Sequence, residues 1–153
     1  MFHAPLFGRP VPPPPPFGVL PAFTPASYLA LRRKAAGLTI YQLAELIAAK
    51  HPAGQARRMG QGDAQAELRA LLRQLETPGV VARHADTLAM INRAMRIDAA
   101  VYRQLATAPV DAHPTICRGC GCTDATPCEA ADMRPCGWAG ADMCTRCTNG
   151  ELL

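Results

Sequence analysis

Two Cys-x2-Cys pairs constrain the fold of this chain more than any other feature of its sequence. Cys117 and Cys120 form the first pair, Cys144 and Cys147 form the second, and 23 residues lie between the pairs. Each pair turns two thiolates toward one ion, and two pairs complete the tetrahedral sulfur cage that Zn²⁺ prefers. The spacing therefore predicts a metal site.

Three further cysteines, Cys122, Cys128 and Cys136, lie between the pairs, so that all seven fall within 31 residues. A segment this short buries too little apolar surface to fold alone and has to be held together by metal or by disulfides. The four paired thiolates leave no open coordination position, which favours a structural site over a hydrolytic one. The other three cysteines either hold a second ion, with a shared thiolate or with His113, or pack as small apolar side chains beside Trp138.

The redox compartment bears on the choice between metal and disulfides. The first residues of the chain have neither a basic start nor a continuous apolar run, so we expect no secretory signal and no membrane span. A cytoplasmic protein keeps its thiols reduced, which favours metal. Zinc is the expected cofactor, and an iron–sulfur cluster is the alternative, although such clusters are more typical of tighter cysteine runs.

Composition divides the chain into four parts. Residues 1–25 hold nine of the 15 prolines and are predicted to form a disordered arm, with docking to a partner protein as the alternative. Residues 26–107 are rich in Ala, Leu and Arg, which is helical composition. Residues 108–116 read as a linker that leads into a cysteine-rich, metal-binding module at residues 117–153.

Charge follows the same division. Residues 26–107 contain twelve Lys or Arg against six Asp or Glu, whereas residues 108–153 contain three against six. The basic character therefore belongs to the helical part, where it fits a polyanionic partner.

Residues 26–107 are predicted to form five short helices and a small all-α bundle. Ser27 is expected to cap the first helix, which ends at Gly37, and Thr39 with Gln42 forms a capping box that opens the second. The third is expected to begin at Asp63, the fourth spans about 85–95, and the fifth starts at Asp98. Helical spacing assigns the following residues to the core: Ile40, Leu43, Ala44, Ile47, Leu68, Leu71, Leu72, Leu75, Leu88, Ile91, Met95, Val101, Tyr102 and Leu105.

Several short motifs carry a resemblance to a known family. The run from Arg33 to Thr39, followed by Leu43-Ala44 and Ile47, resembles the first two helices of the phage-repressor (Cro/CI, xenobiotic-response-element) helix-turn-helix family. The run Leu72-Arg-Gln-Leu-Glu-Thr-Pro-Gly79 is similar to the end of that family's recognition helix, and residues 88–105 fit its last two helices. The resemblance covers about residues 27–106.

The resemblance implies a sequence-specific regulator that binds double-stranded DNA, with the third helix in the major groove. Arg69, Arg73 and Gln74 would face the DNA, and Arg33 would pair with Glu76 inside the fold. Arg and Gln suit base edges because both can bond them bidentately. A homodimer is expected by the same analogy, because one helix-turn-helix unit reads a half-site.

Three more residues join the predicted DNA-facing set. Gln42 lies at the start of the second helix, and Arg57 and Arg58 lie in a glycine-containing basic loop where the family has a tight turn. This loop has two possible effects on DNA binding. It lifts the third helix away from the groove, or it adds Arg57 and Arg58 as phosphate contacts.

The cysteine segment has a resemblance of its own. Its CxxCGC start at Cys117, its central Cys136-Gly-Trp138 and its Asp142-Met-Cys-x2-Cys147 end are similar to a cysteine-rich module of phage and prophage proteins. This likeness implies a phage or prophage context and carries no activity with it.

Enzyme signals are absent from the sequence, since no nucleophile and base stand at a motif spacing and no glycine-rich phosphate loop occurs. The prediction is therefore a non-enzymatic DNA-binding regulator. The alternative is a protein–protein adaptor whose helical bundle and zinc module both dock a partner. A metal-dependent nuclease ranks below both because the sequence lacks the required His and acidic cluster.

Overall fold

The computed structural model describes residues 20–50, 61–128 and 134–150. Within those ranges the chain forms helices and no strand, so the predicted all-α class is confirmed, together with a cysteine cluster compatible with a small metal module. The α-helices are α1 (Pro25–Ala35), α2 (Ile40–Lys50), α3 (Gln61–Leu75), α4 (Ala85–Ala94), α5 (Ala99–Thr107) and α6 (Thr145–Thr148), with a 3-10 turn at Val110–Ala112.

The first helix begins earlier than predicted. Thr24, not Ser27, is its N-cap: the Thr24 hydroxyl accepts a hydrogen bond from the Ser27 amide, and the Ser27 hydroxyl accepts one from the Thr24 amide. Pro25 occupies the first helical position, where its missing N–H costs nothing and its fixed φ suits the helix. The prediction for Ser27 was wrong because Pro25, placed within the arm, starts the helix.

The turn between α1 and α2 follows the prediction. Gly37 adopts a φ of +68°, which a glycine tolerates at the end of a helix. The capping box of α2 is confirmed, with the Thr39 amide donating to Oε1 of Gln42 at 2.8 Å and the Gln42 amide donating to Oγ1 of Thr39 at 3.2 Å. Helix α3 begins at Gln61, two residues before the predicted Asp63. Arg57 and Arg58 lie outside the described residues.

A single apolar cluster joins α1 to α5. The predicted stripes supply most of it, since Leu43, Leu72, Leu88 and Ile91 are nearly inaccessible to solvent. Two tyrosines complete this core: the Tyr28 hydroxyl accepts a bond from the Asp98 amide, and the Tyr102 hydroxyl accepts one from the Ala82 amide. Asp98 itself caps α5 as predicted, through bonds from the amides of Ala100 and Val101.

The predicted pairing of Arg33 with Glu76 is confirmed. Nε of Arg33 lies 2.6 Å from Oε1 of Glu76 and Nη2 lies 2.8 Å from Oε2, a bidentate pair that ties α1 to the end of α3. Nη1 of Arg33 also donates to the Leu38 carbonyl. The side chains are only 11% and 13% exposed, so the pair is well shielded from water.

The cysteine segment rests against α1. Nη1 of Arg32 donates to the Cys120 carbonyl at 3.1 Å, and Ala35 packs against the cysteine cluster. Arg118 extends the contact: it donates to the Pro21 carbonyl and lies over the Phe23 ring, 4.7 Å from its centroid. Ile116, which directly precedes the first cysteine, belongs to the main apolar core.

A search of the described helices for a membrane-spanning segment found none with the length and apolar character required.

Candidate metal centre

The first Cys-x2-Cys pair lies in a tight turn. The Gly121 amide donates to the Cys117 carbonyl at 2.8 Å, and the Cys117 amide donates to the Cys122 carbonyl at 2.9 Å. Gly121 has a φ of +73°, which reverses the chain directly after Cys120. The sequence Cys-Arg-Gly-Cys-Gly-Cys therefore curls so that the thiol of Cys120 lies close to those of Cys117 and Cys122.

The second pair is placed by the short helix α6. Cys144 is its N-cap residue and Cys147 lies within it, so the two thiols share one side of a single helical turn. The Cys144 amide donates to Sγ of Cys117 at 3.3 Å, which ties the second pair to the first.

Gly119 permits the close approach of the two Cys-x2-Cys pairs. A Cβ added at Gly119 would lie 2.6 Å from Sγ and 2.8 Å from Cβ of Cys147, closer than side-chain atoms come to one another. Sequence reasoning singled out the cysteines and missed this glycine, although its position between Cys117 and Cys120 was visible.

The central part of the module is held by backbone bonds. The Cys136 amide donates to the Cys128 carbonyl at 2.9 Å, and the Thr145 amide donates to the Gly137 carbonyl at 2.8 Å. Trp138 forms an isolated antiparallel bridge with Cys144 and donates its indole N–H to Oδ1 of Asp124 at 2.6 Å. These bonds bring residues from three separate turns together around the thiols.

Two overlapping groups of four thiols could each hold a metal ion. The first contains the four predicted ligands Cys117, Cys120, Cys144 and Cys147, and the second contains Cys120, Cys122, Cys128 and Cys144. Within each group every Sγ atom lies within 4.8 Å of the others. Cys136 belongs to neither group, although its Sγ lies 3.6 Å from that of Cys122.

The separations fit a tetrahedral ion. Zn–S bonds of about 2.3 Å in tetrahedral geometry place the sulfurs about 3.8 Å apart. The Sγ atoms of Cys120 and Cys144 are 3.8 Å apart, those of Cys128 and Cys144 are 3.7 Å apart, and those of Cys117 and Cys147 are 3.4 Å apart. A disulfide needs about 2.05 Å, and all seven cysteines are free.

Burial shapes the chemistry of these thiols. It raises the pKa of Cys120, Cys122, Cys128 and Cys147, because a buried thiolate loses its hydration. At Cys144 burial also acts to raise the pKa, but hydrogen bonds from the Cys147 amide and the neighbouring thiols outweigh it and lower the pKa to about 6. Most of the cluster is thus neutral until a cation compensates the thiolate charge.

His113 takes no part in either group of candidate ligands. Its Nε2 lies 3.0 Å from the Ala108 carbonyl oxygen, within the segment that links α5 to the cysteines. Among the described residues both groups consist of cysteine alone, so the suggestion that His113 completes a second site is not supported.

The predicted DNA-facing residues of α3 lie beside an exposed tyrosine of α2. The guanidinium carbons of Arg69 and Arg73 lie 5.0 and 5.7 Å from the centroid of the Tyr41 ring, and 56% of Tyr41 is exposed. Gln74 is exposed on α3, whereas Gln42 uses its amide oxygen to cap α2. This contact of Tyr41 with the two arginines was not identified from the sequence.

Comparisons with known proteins gave no match to a protein-family model, a curated protein or a solved structure.

Proposed function

We propose that the protein is a sequence-specific DNA-binding regulator whose C-terminal module is stabilised by zinc. The observation that carries this proposal is the basic face of α3, where Arg69 and Arg73 are held side by side over Tyr41. Stacking on an aromatic ring orders a guanidinium while leaving its N–H groups available for an anionic or polar partner.

Two further contacts support α3 as the recognition helix. The bidentate pair of Arg33 with Glu76 fixes the C-terminal end of α3 against α1, and the buried Leu72 and Leu75 anchor its opposite face in the core. An arginine pair on a rigidly seated helix can bond guanine O6 and N7 with little loss of side-chain freedom. The exposed Gln74 adds an amide suited to adenine.

Zinc is the proposed ion because thiolate-only tetrahedral sites are typical of structural zinc. A site with four thiolates has no open position for water or substrate, so the proposed role is to hold residues 117–147 in their fold and against α1. The proposal includes a cytoplasmic setting of phage or prophage type and a homodimer on a two-fold symmetric operator.

Selection of bound duplexes from a randomised library, followed by affinity measurement over a range of salt concentrations, tests the proposal. Each phosphate contact adds about 0.9 to the slope of log K against log salt, so several contacts give a steep decrease. Failure to enrich any sequence, with affinity insensitive to salt, would overturn it. Capture of a protein partner through a salt-insensitive apolar surface would instead identify the adaptor alternative.

A further inference from the structure

The two groups of candidate ligands overlap at Cys120 and Cys144, whose Sγ atoms are 3.8 Å apart. We propose that the module holds two Zn²⁺ ions and that these two thiolates bridge them. Cys117 and Cys147 complete the first ion, and Cys122 and Cys128 complete the second. The inference rests on the zinc assignment made above and is independent of DNA binding.

The distances around the shared pair are those of two tetrahedra with a common edge. On one side, Cys128 lies 3.7 Å from Cys144 and 4.0 Å from Cys120. On the other side, Cys117 and Cys147 lie 3.4 Å apart and close the first tetrahedron. Sulfurs in tetrahedral zinc sites are about 3.8 Å apart, so both groups have the size that an ion requires.

Charge balance also favours the second ion. Four thiolates around one Zn²⁺ carry a net charge of −2, and six thiolates around two Zn²⁺ ions carry the same net charge. The second ion therefore allows Cys122 and Cys128 to lose their protons without a change in the net charge of the cluster. Additional net charge in a buried cluster would be costly. The Arg32 guanidinium, bonded to the Cys120 carbonyl, lies beside the bridging residue and offsets part of the remaining charge.

The shared pair lies inside the cluster. Cys120 and Cys144 are both almost inaccessible to solvent, as expected of sulfurs enclosed between two ions. Cys117 and Cys122, each assigned to one ion, are equally buried, whereas Cys128 and Cys147 are partly exposed. Each proposed ion therefore has one buried and one partly exposed terminal thiol beside the two bridging thiols.

Cys136 provides a matched control. Its Sγ lies 3.6 Å from Sγ of Cys122, yet it belongs to neither group of four. We assign it as a neighbouring thiol that contacts Cys122 and does not bind an ion.

The first test is the zinc content of the full-length protein after removal of loosely bound metal, measured by plasma mass spectrometry. We expect two zinc ions per chain in the native protein and in Cys136→Ser, and one in Cys128→Ser, with the far-UV circular dichroism of the helices retained in all three. A native content of one ion would overturn the two-ion centre. Loss of an ion in Cys136→Ser but not in Cys128→Ser would overturn the ligand assignment.

A second measurement uses only the native chain and so does not depend on a variant that folds. Replacement of zinc by ¹¹³Cd should give two nuclear magnetic resonance signals, each split by coupling to the other cadmium through the bridging sulfurs. A single signal or two unsplit signals would contradict the bridge. Absence of any tightly bound metal would defeat the zinc assignment itself, and iron with acid-labile sulfide would replace it by a cluster.

Discussion

Arg32 of α1 donates one hydrogen bond to the Cys120 carbonyl at 3.1 Å and another to the Arg96 carbonyl at 2.9 Å. One guanidinium therefore connects the first helix to the cysteine cluster and to the segment between α4 and α5. A Cβ at Gly121 would lie 2.7 Å from Cδ of Arg32, so the aliphatic stem also fits closely against the turn. The cysteine segment and the helical core share this side chain.

Replacement of Arg32 by Ala is expected to destabilise the folded protein by about 1–2 kcal/mol, since two charge-assisted hydrogen bonds and the packed stem are lost. Urea unfolding of the metal-loaded protein, followed by circular dichroism, measures the change. Lys34→Ala is the matched control because Lys34 is an exposed basic residue of the same helix. Equal stability of the two variants would show that the Arg32 contacts contribute nothing.

Gly119→Ala is expected to weaken metal binding by at least tenfold. Its new Cβ would lie 2.6 Å from Sγ of Cys147, so the second Cys-x2-Cys pair has to move away from the first. Competition with a chromophoric zinc chelator measures the affinity. Gly140→Ala serves as the control, because nothing lies within 4 Å of a Cβ at Gly140 and neither glycine has a positive φ. Unchanged affinity in Gly119→Ala would contradict the described approach of Cys147.

Acidification should release the metal and unfold the cysteine module. Protons compete with the ion for the thiolates, and burial raises the pKa of Cys120, Cys122, Cys128 and Cys147 in the metal-free cluster. The amount of zinc released should increase as the pH is lowered from 8 to 5, and more than one proton should be taken up for each ion released. A chromophoric indicator records the release. Retention of all zinc at pH 5 would argue against thiolate ligands.

Local signals in the sequence were sufficient to predict most of the helices and most of the apolar core. The spacing of Leu43 with Ile47 in α2, and of Leu72 with Leu75 in α3, identified the core because residues three or four positions apart lie on the same face of a helix. The capping box of Thr39 with Gln42 marked a helix start for the same local reason. The start of α1 was misplaced because Pro25 belongs equally well to a proline-rich arm and to a first helical turn.

Contacts between distant residues could not be predicted in the same way. The Cys-x2-Cys spacing predicted one cage, but the sharing of Cys120 and Cys144 depends on how three turns come together. The contact of Arg32 with Cys120 joins positions 88 residues apart and has no local pattern. Apart from the meeting of the two Cys-x2-Cys pairs, the pairing of Arg33 with Glu76 was anticipated at long range, and that prediction came from a family resemblance.

Removal of the carboxylate at Glu76 should destabilise the helical core by about 2 kcal/mol. Glu76→Gln leaves the shielded Arg33 guanidinium without its charged partner, which costs more than the pair itself contributes. Hydrogen bonding to Glu76 raises the pKa of Arg33. The variant loses this effect, but the guanidinium stays charged because the ordinary pKa of arginine is far above neutral. Chemical denaturation gives the change, and the double variant Arg33→Met with Glu76→Leu should recover much of the loss. If the double variant is destabilised by the sum of the losses in Arg33→Met and Glu76→Leu made singly, the two side chains do not interact.

The basic face of α3 leads to the prediction that bears most directly on function. Arg69→Ala combined with Arg73→Ala should abolish binding to a selected duplex while leaving the thermal melt nearly unchanged, because both side chains lie on the outer face of α3 over Tyr41. Fluorescence anisotropy with a labelled duplex measures the affinity. Arg103→Ala, which removes an exposed arginine from α5, controls for the loss of positive charge alone. Tyr41→Leu should weaken binding by a smaller factor, since it removes the platform and keeps both guanidinium groups. If the double variant binds the duplex with full affinity, α3 is not the recognition helix.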